Sequence, residues 1–330
     1  MLKHTHVFWT IILGCSCISS AAQQHTFNLE RLEETSTITY TTEEGRLTGN
    51  YVSIYNNGIK RCEGKLVNGY RNGRWIVWDS TGRKRMERIY KNPFEFERIF
   101  PAIPNEGPIP MLVKNQYRIE YDSDGVVKYA KLKAEDAQWR HKYWRYLGPV
   151  GNELLFKDNW LLNLFFEKAK SRSMELFNTA DDRFTTLLNA DSLFKIIDNK
   201  KIELIAFEIK EENIFDMDRL ISEYRIIGIC PIVKINGQIQ QLFWVYYPDL
   251  RKQFGKEKLQ INDQAIKTLD DLFIFRHFSS TIIKTTVDNP YDKFIKDFPN
   301  LTDSQIQLEQ EQQELILIEY ENSLWIWLTK

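Results

Sequence analysis

The sequence predicts an α+β protein, with an N-terminal antiparallel β-hairpin repeat region followed by a mixed α+β domain. Three observations carry this. Residues 49–96 repeat a pattern of glycines and aromatic residues with a period of 24 residues, the distance from Gly49 to Gly73. The later half mixes β-rich runs and helical stripes without strict strand–helix–strand alternation, which argues against a doubly wound sheet. The composition, 43% hydrophobic and 13% aromatic with nine Trp, supplies the bulky apolar area a core needs, and 330 residues fit about two domains.

Charge and cysteine usage exclude several classes. Lys plus Arg is 44 and Asp plus Glu is 45, a net charge of -1. So balanced a chain has no global electrostatic footprint for nucleic acid and needs no polybasic membrane patch. Four Cys in 330 residues exclude a disulfide scaffold.

The N-terminus reads as an export signal. Lys3 is followed by an apolar run from Val7 to Cys17, too short to cross a bilayer as a helix, and then by Ser20-Ala21-Ala22. Cleavage after Ala22 would start the mature chain at Gln23. Ile12-Leu13-Gly14-Cys15 offers a second route, a lipobox with a lipid anchor on Cys15. After ordinary cleavage only Cys62 and Cys230 remain, and two buried free thiols are expected rather than a disulfide. No other segment is apolar for long enough to span a membrane.

In the repeat, Gly49 matches Gly73, Tyr51 matches Trp75, Gly58 matches Gly82, Lys60 matches Lys84, Glu63 matches Glu87 and Asn68 matches Asn92. Each unit reads as two short strands around an Asn-Gly or Thr-Gly turn. A lone hairpin is marginal, so successive hairpins must stack to bury Tyr51, Tyr55, Trp75 and Trp78. The units resemble the MORN-type repeats of the YwqK-like family, which implies an interaction or spacer surface rather than a reaction. The basic run Arg71, Arg74, Arg83, Lys84, Arg85 and Arg88 reads as a solvated sheet face, with an acidic partner as the alternative. Next comes PAIPNEGPIP, carrying Pro101, Pro104, Pro108 and Pro110, a stiff connector. A hairpin around Asp122-Ser123-Asp124-Gly125 follows, a turn with too few oxygen ligands for a calcium loop.

The second half predicts a helix over about 158–171, a strand over 201–209 and a short helix over 213–221. Asn236-Gly237 between long β-rich segments predicts a type I′ hairpin, and Pro231 in its first strand implies a bulge or an edge position. Apolar spacing over 263–286 predicts a helix. Thr302-x-x-Gln305 predicts the capping box of a long final helix whose C-terminal half is buried. The resulting organisation is a leader (1–22), a repeat region (23–100), a Pro-rich linker with a hairpin (101–133) and an α+β domain (134–330).

A search for chemistry finds no starting residue. His25, His141 and His277 survive leader removal without a cluster of further ligands, so no metal site is expected. No phosphate-binding glycine loop, dinucleotide fingerprint or nucleophile elbow occurs, and no cofactor is expected. Asp181/Asp182 and Asp216/Asp218 are pairs that chance supplies among 45 acids. Arg276-His277 reads as a structural pair on a helix.

Six collinear segments then resemble one family. They are WRHKYWRYLG from Trp139, MELFNTADDRFTTLL, EYRIIGICPIVKINGQIQQLFWVYYPDLRK, LDDLFIFRHFSSTIIK, Pro290-Tyr291-Asp292 and ENSLWIWL. Over roughly 135–330 the chain resembles the gliding-motility protein GldN, called PorN in oral relatives. The resemblance implies a non-enzymatic, periplasmic structural part of the type IX secretion and gliding apparatus. It would associate with an outer-membrane ring lipoprotein, contact a periplasmic shaft protein and form an oligomeric ring. Trp139, Arg140, Trp144 and Arg145 are the candidate partner contacts, because Trp and Arg are enriched at binding hot spots; the alternative is that both Trp are core. Two other functions stay open: an exported repeat module with a different partner, and an enzyme with a site assembled from dispersed residues.

Overall fold

Almost every residue of the first half that forms regular structure lies in a strand. The computed structural model describes residues 22–29, 36–102, 116–198, 200–261 and 263–329. The leader before Ala22, with Cys15, and the Pro-rich stretch 103–115 lie outside the described residues. Strands β1 (Gln23–Leu29), β2 (Ser36–Glu43), β3 (Arg46–Tyr55), β4 (Lys60–Val67), β5 (Tyr70–Trp78), β6 (Lys84–Asn92), β7 (Glu95–Phe100) and β8 (Gln116–Tyr117) each pair with the next in one antiparallel eight-stranded sheet.

The 24-residue period is visible in the backbone and in the side chains. Gly58 and Gly82 take φ of 82° and 83° in equivalent turns, a region open to glycine at no steric cost. The Lys60–Glu63 and Lys84–Glu87 pairs both close at 2.6 Å. Tyr51 and Trp75 are both fully buried. Trp75 lies over Gly64, where a Cβ would sit 2.2 Å from the indole ring, so glycine is required there for close approach.

The second half supplies β9 (Ala137–Leu147), α1 (Glu153–Phe156), α2 (Trp160–Lys170), β10 (Leu176–Phe177), β11 (Leu187–Leu188), α3 (Ala190–Ile197), β12 (Ile202–Asp216), β13 (Ile221–Ile235), β14 (Gln238–Gln241), β15 (Val245–Tyr246), α4 (Tyr247–Phe254), α5 (Leu269–Ile274), β16 (Thr281–Thr285) and α6 (Asp303–Leu328). A second antiparallel sheet runs β14-β13-β12-β9-β16, with β15 beside β13. Helices α2, α4 and α5 cover it through Phe165, Phe207, Phe243, Phe254 and Phe273. The class is the predicted one, an antiparallel hairpin sheet followed by a mixed α+β region.

Helix α2 lies within the predicted span, and Asn236 and Gly237 (φ 51° and 83°) make the two-residue turn between β13 and β14. Pro231 is not at an edge. It opposes Phe207 inside the sheet, beside a bulge between Leu204 and Ala206. The β14 ladder stops at Ile232 and β15 resumes at Ile229, because Pro231 has no N–H to donate.

Two helix expectations are corrected. Residues 213–216 complete β12, and 217–220 form the turn into β13, because two neighbouring strands hold this segment extended. In 263–286 only Leu269–Ile274 is helical, and 281–285 is β16, paired with β9. The run Thr281-Ile282-Ile283 is β-branched, and an open sheet edge was there to take it. Arg276 (φ 51°) and His277 therefore lie beyond the end of α5, not on a helix.

The final helix forms as predicted. Thr302 Oγ1 accepts from Gln305 N while Gln305 Oε1 accepts from Thr302 N. Its C-terminal half lies against the buried face of the eight-stranded sheet. Leu315, Ile316, Ile318, Trp325 and Ile326 share one core with Tyr51, Trp75, Val77 and Met86 from that sheet and with Phe215 and Ile221 from the second.

Candidate functional site

Where α6 meets both sheets, the buried surface is charged as well as apolar. Glu319 stands mid-helix inside the apolar stripe and is fully buried. Its carboxylate accepts from Arg61 Nε (2.7 Å), Tyr51 Oη (2.7 Å) and Asn322 Nδ2 (3.0 Å). Burial, and then the Glu319 charge, push the Tyr51 phenol well above its ordinary range, so it stays a donor. Glu321 pairs with Arg71 and accepts from Ser222 N at 3.1 Å, joining β5 to β13. Arg71 also lies 4.9 Å from the ring of Trp75 and 4.5 Å from that of Trp325.

A second network lies where β9 and β12 pass under α6. Arg145 of β9 pairs with Glu211 of β12 and with Glu314 of α6. Arg276 Nη1 donates to the other oxygen of Glu211 at 2.7 Å. Burial alone would raise the Glu211 carboxyl, but Arg145 and then Arg276 outweigh it and hold the carboxyl below its usual range. Glu314 and the two arginines reach the floor of a cleft of about 920 Å³. Its walls are β1 and β2, the turn at Glu44–Arg46, the loop at Val150–Glu153, the segment 278–281 and the first half of α6. Tyr40 Oη donates to Glu311 Oε2 (3.2 Å) across it.

This arrangement binds elements together and leaves a cleft with charged groups in its lining. Among the described residues, the cysteines, histidines and two of the acids that the sequence singled out are placed as follows. Cys62 and Cys230 are buried free thiols, each pushed well up by burial, and so poor nucleophiles. His25 contacts Thr42 Oγ1 (2.9 Å), and His141 and His277 are pushed down by burial. Asp182 is held by Lys210 and Trp144, and Asp216 by Arg219. Among the described residues no three His, Cys, Asp or Glu side chains group as metal ligands.

The four candidate contact residues do not share a surface, because β9 alternates. Trp139 and Arg145 point to the α6 side. Trp139 packs on Phe215 and donates to Asn213 Oδ1 (2.7 Å), and Arg145 is 1% exposed. Trp144 and Arg140 point to the opposite face. Trp144 is buried, donates to Asp182 Oδ2 (2.6 Å) and has Lys284 Nζ 4.1 Å from its ring centroid. Arg140, paired with Glu212, is exposed, and Trp139 is half-buried. The basic run is also split. Arg71 and Arg88 point inward, Arg85 pairs with Asp79, and Arg74 and Lys84 pair with Glu87, so it is not one solvated face. Ala22 is exposed, directly before β1. Sequence reasoning missed Glu211, Glu319 and Glu321. Their signal was acids inside otherwise apolar or strand-forming runs (KIELIAFEIKEENIF and LILIEYENSLW).

A family model described as gliding motility associated protein GldN matches residues 132–326, more than half of the chain. The chain belongs to the GldN family. The Arg145–Glu211–Arg276–Glu314 network lies wholly within this match, and the Glu319 and Glu321 pairs reach from it to the preceding sheet. Membership makes the protein a component of the gliding motility and type IX secretion machinery of the cell envelope, in a family not known for enzymes. A search of curated proteins returned no match. Among the described residues, no helix is long and apolar enough to cross a membrane.

Proposed function

We propose that the protein is a non-enzymatic scaffold of the type IX secretion and gliding apparatus, a ring component on the periplasmic side of the outer membrane. The observation that carries this is the GldN-family match over 132–326. In this reading the leader is removed after Ala22, with lipid attachment at Cys15 as the alternative processing. The ring lipoprotein and the periplasmic shaft protein are the partners. The hairpin region, which resembles MORN-type repeats, adds an interaction surface to the family fold. The charged junctions support a structural role, since the buried acids Glu211, Glu319 and Glu321 are each neutralised by an arginine of another element rather than held ready for a substrate.

Affinity purification of the tagged protein from outer-membrane fractions tests the reading. Co-recovery of a ring lipoprotein in stoichiometric amount is the expected result. Recovery of the protein alone, or with an unrelated surface protein, would favour an exported interaction module instead.

A further inference from the structure

Four arginines on successive strands point to the buried side of the eight-stranded sheet: Arg61 on β4, Arg71 on β5, Arg88 on β6 and Arg98 on β7. The first two meet Glu319 and Glu321 of α6. The other two have no carboxylate partner among the described residues, although Arg88 is 1% and Arg98 8% exposed. They stand directly opposite each other as a cross-strand pair, an arrangement that disfavours like charges.

Their hydrogen bonding is also incomplete. Arg88 Nη1 donates to Leu220 O (2.9 Å), and its guanidinium lies over Phe96 and Trp325 (4.7 and 5.0 Å to the ring centroids). Among the described residues Arg88 Nε has no hydrogen-bond partner, and neither do Nε and Nη2 of Arg98. On Arg98 the two unpaired, buried donors form one complete side of the guanidinium fork, the side whose spacing matches two oxygens of a carboxylate or phosphate. A buried donor left unmade is costly, and a buried cation without a counter-charge more so. Burial and the neighbouring Arg88 also push Arg98 below its ordinary range, against smaller opposing contributions from Tyr117, Tyr90 and Asp218.

We propose that Arg88 and Arg98 form a binding site for a small oxyanion from solution, held side-on by Nε and Nη2 of Arg98 and steadied by Nε of Arg88. Phosphate and small carboxylates share the required geometry. The site joins the two halves of the protein, because Leu220, which accepts from Arg88, belongs to the β12–β13 turn. Exposed Asp218 in that turn is the internal rival for Arg98, close enough to contribute electrostatically but not ion-paired with it.

The test is thermal unfolding of the full mature chain in chloride, inorganic phosphate or acetate at constant ionic strength. It is run on the wild type, Arg98→Met and Asp218→Asn. The expected result is a saturable rise of a few degrees in the wild type with phosphate or acetate, absent in Arg98→Met and retained in Asp218→Asn. The anion with the larger shift identifies the source. Equal responses in wild type and Arg98→Met would overturn the proposal, as would no response to either anion. So would Asp218→Asn matching the loss seen in Arg98→Met, which would make Asp218 the counter-ion. If Arg98→Met does not fold, calorimetric titration of the wild type with each anion decides, and absence of binding heat overturns the site.

Discussion

Arg61 on β4 and Glu319 on α6 meet at 2.7 Å although 258 residues separate them in sequence. Both are buried, and each has a further partner across the junction: Ser323 of α6 for the arginine and Tyr51 of β3 for the glutamate. The contact ties the first sheet to the last helix. Glu319→Ala leaves a buried guanidinium and a buried phenol without their acceptor, so we expect a loss of about 3–5 kcal/mol in urea unfolding. Replacing both partners by Met and Leu should recover much of that loss, because no buried charge is left alone.

The shared core makes a second prediction. A fragment of residues 23–102 retains the hairpins but loses Leu315, Ile318, Trp325 and Ile326 from its apolar face. It should lack a cooperative thermal transition and bind a hydrophobic dye. A sharp unfolding transition in the isolated fragment would contradict a common core.

Stability should depend on Glu211 in acid. Its folded carboxyl lies below the usual range, so its contribution is fully present above the unfolded value, about 4.3, and is lost as pH falls through the folded value. Glu211→Gln should therefore be clearly less stable than wild type at pH 7, with the gap narrowing below about pH 4. Urea midpoints measured from pH 7 to pH 3 check this, and a constant gap would contradict it.

Gly64→Ala should destabilise by roughly 1–3 kcal/mol, because the new methyl meets the Trp75 indole in a filled core. Gly64→Ala combined with Trp75→Leu should cost less than the sum of the two, since the clash is removed. Double-mutant unfolding curves measure the difference.

The β9 residues separate binding from folding. Arg140→Ala should change stability by no more than about 0.5 kcal/mol, so a loss of lipoprotein pull-down in that variant would mark a contact. Trp144→Ala and Arg145→Ala should lower the melting temperature by many degrees, since both side chains are interior and hydrogen-bonded.

Much of the local structure was legible in the residues. The period between Gly49 and Gly73, the Asn236-Gly237 turn and the Thr302–Gln305 capping box each depend on a few adjacent positions, and local steric and hydrogen-bonding rules act at that range. The run over 263–286 was misread because the helical spacing holds only as far as α5, while Ile282 and Ile283 are adjacent β-branched residues that fit a strand equally well. Only β9, far away in sequence, selects the strand at 281–285. The charged junctions were less legible still. Glu211 and Glu319 were missed although they are acids in apolar runs, and nothing local names Arg145, Arg276 or Arg61 as their partners. The sequence alone determined the hairpins, the cap of the last helix, the class and the collinear GldN-like segments. The tertiary structure decided that the two halves share a core through α6, and that Trp144 and Arg145 face inward. The physical reason is that burying a charge is tolerable only where the fold brings its opposite within hydrogen-bonding reach, and that distance is set by the whole chain.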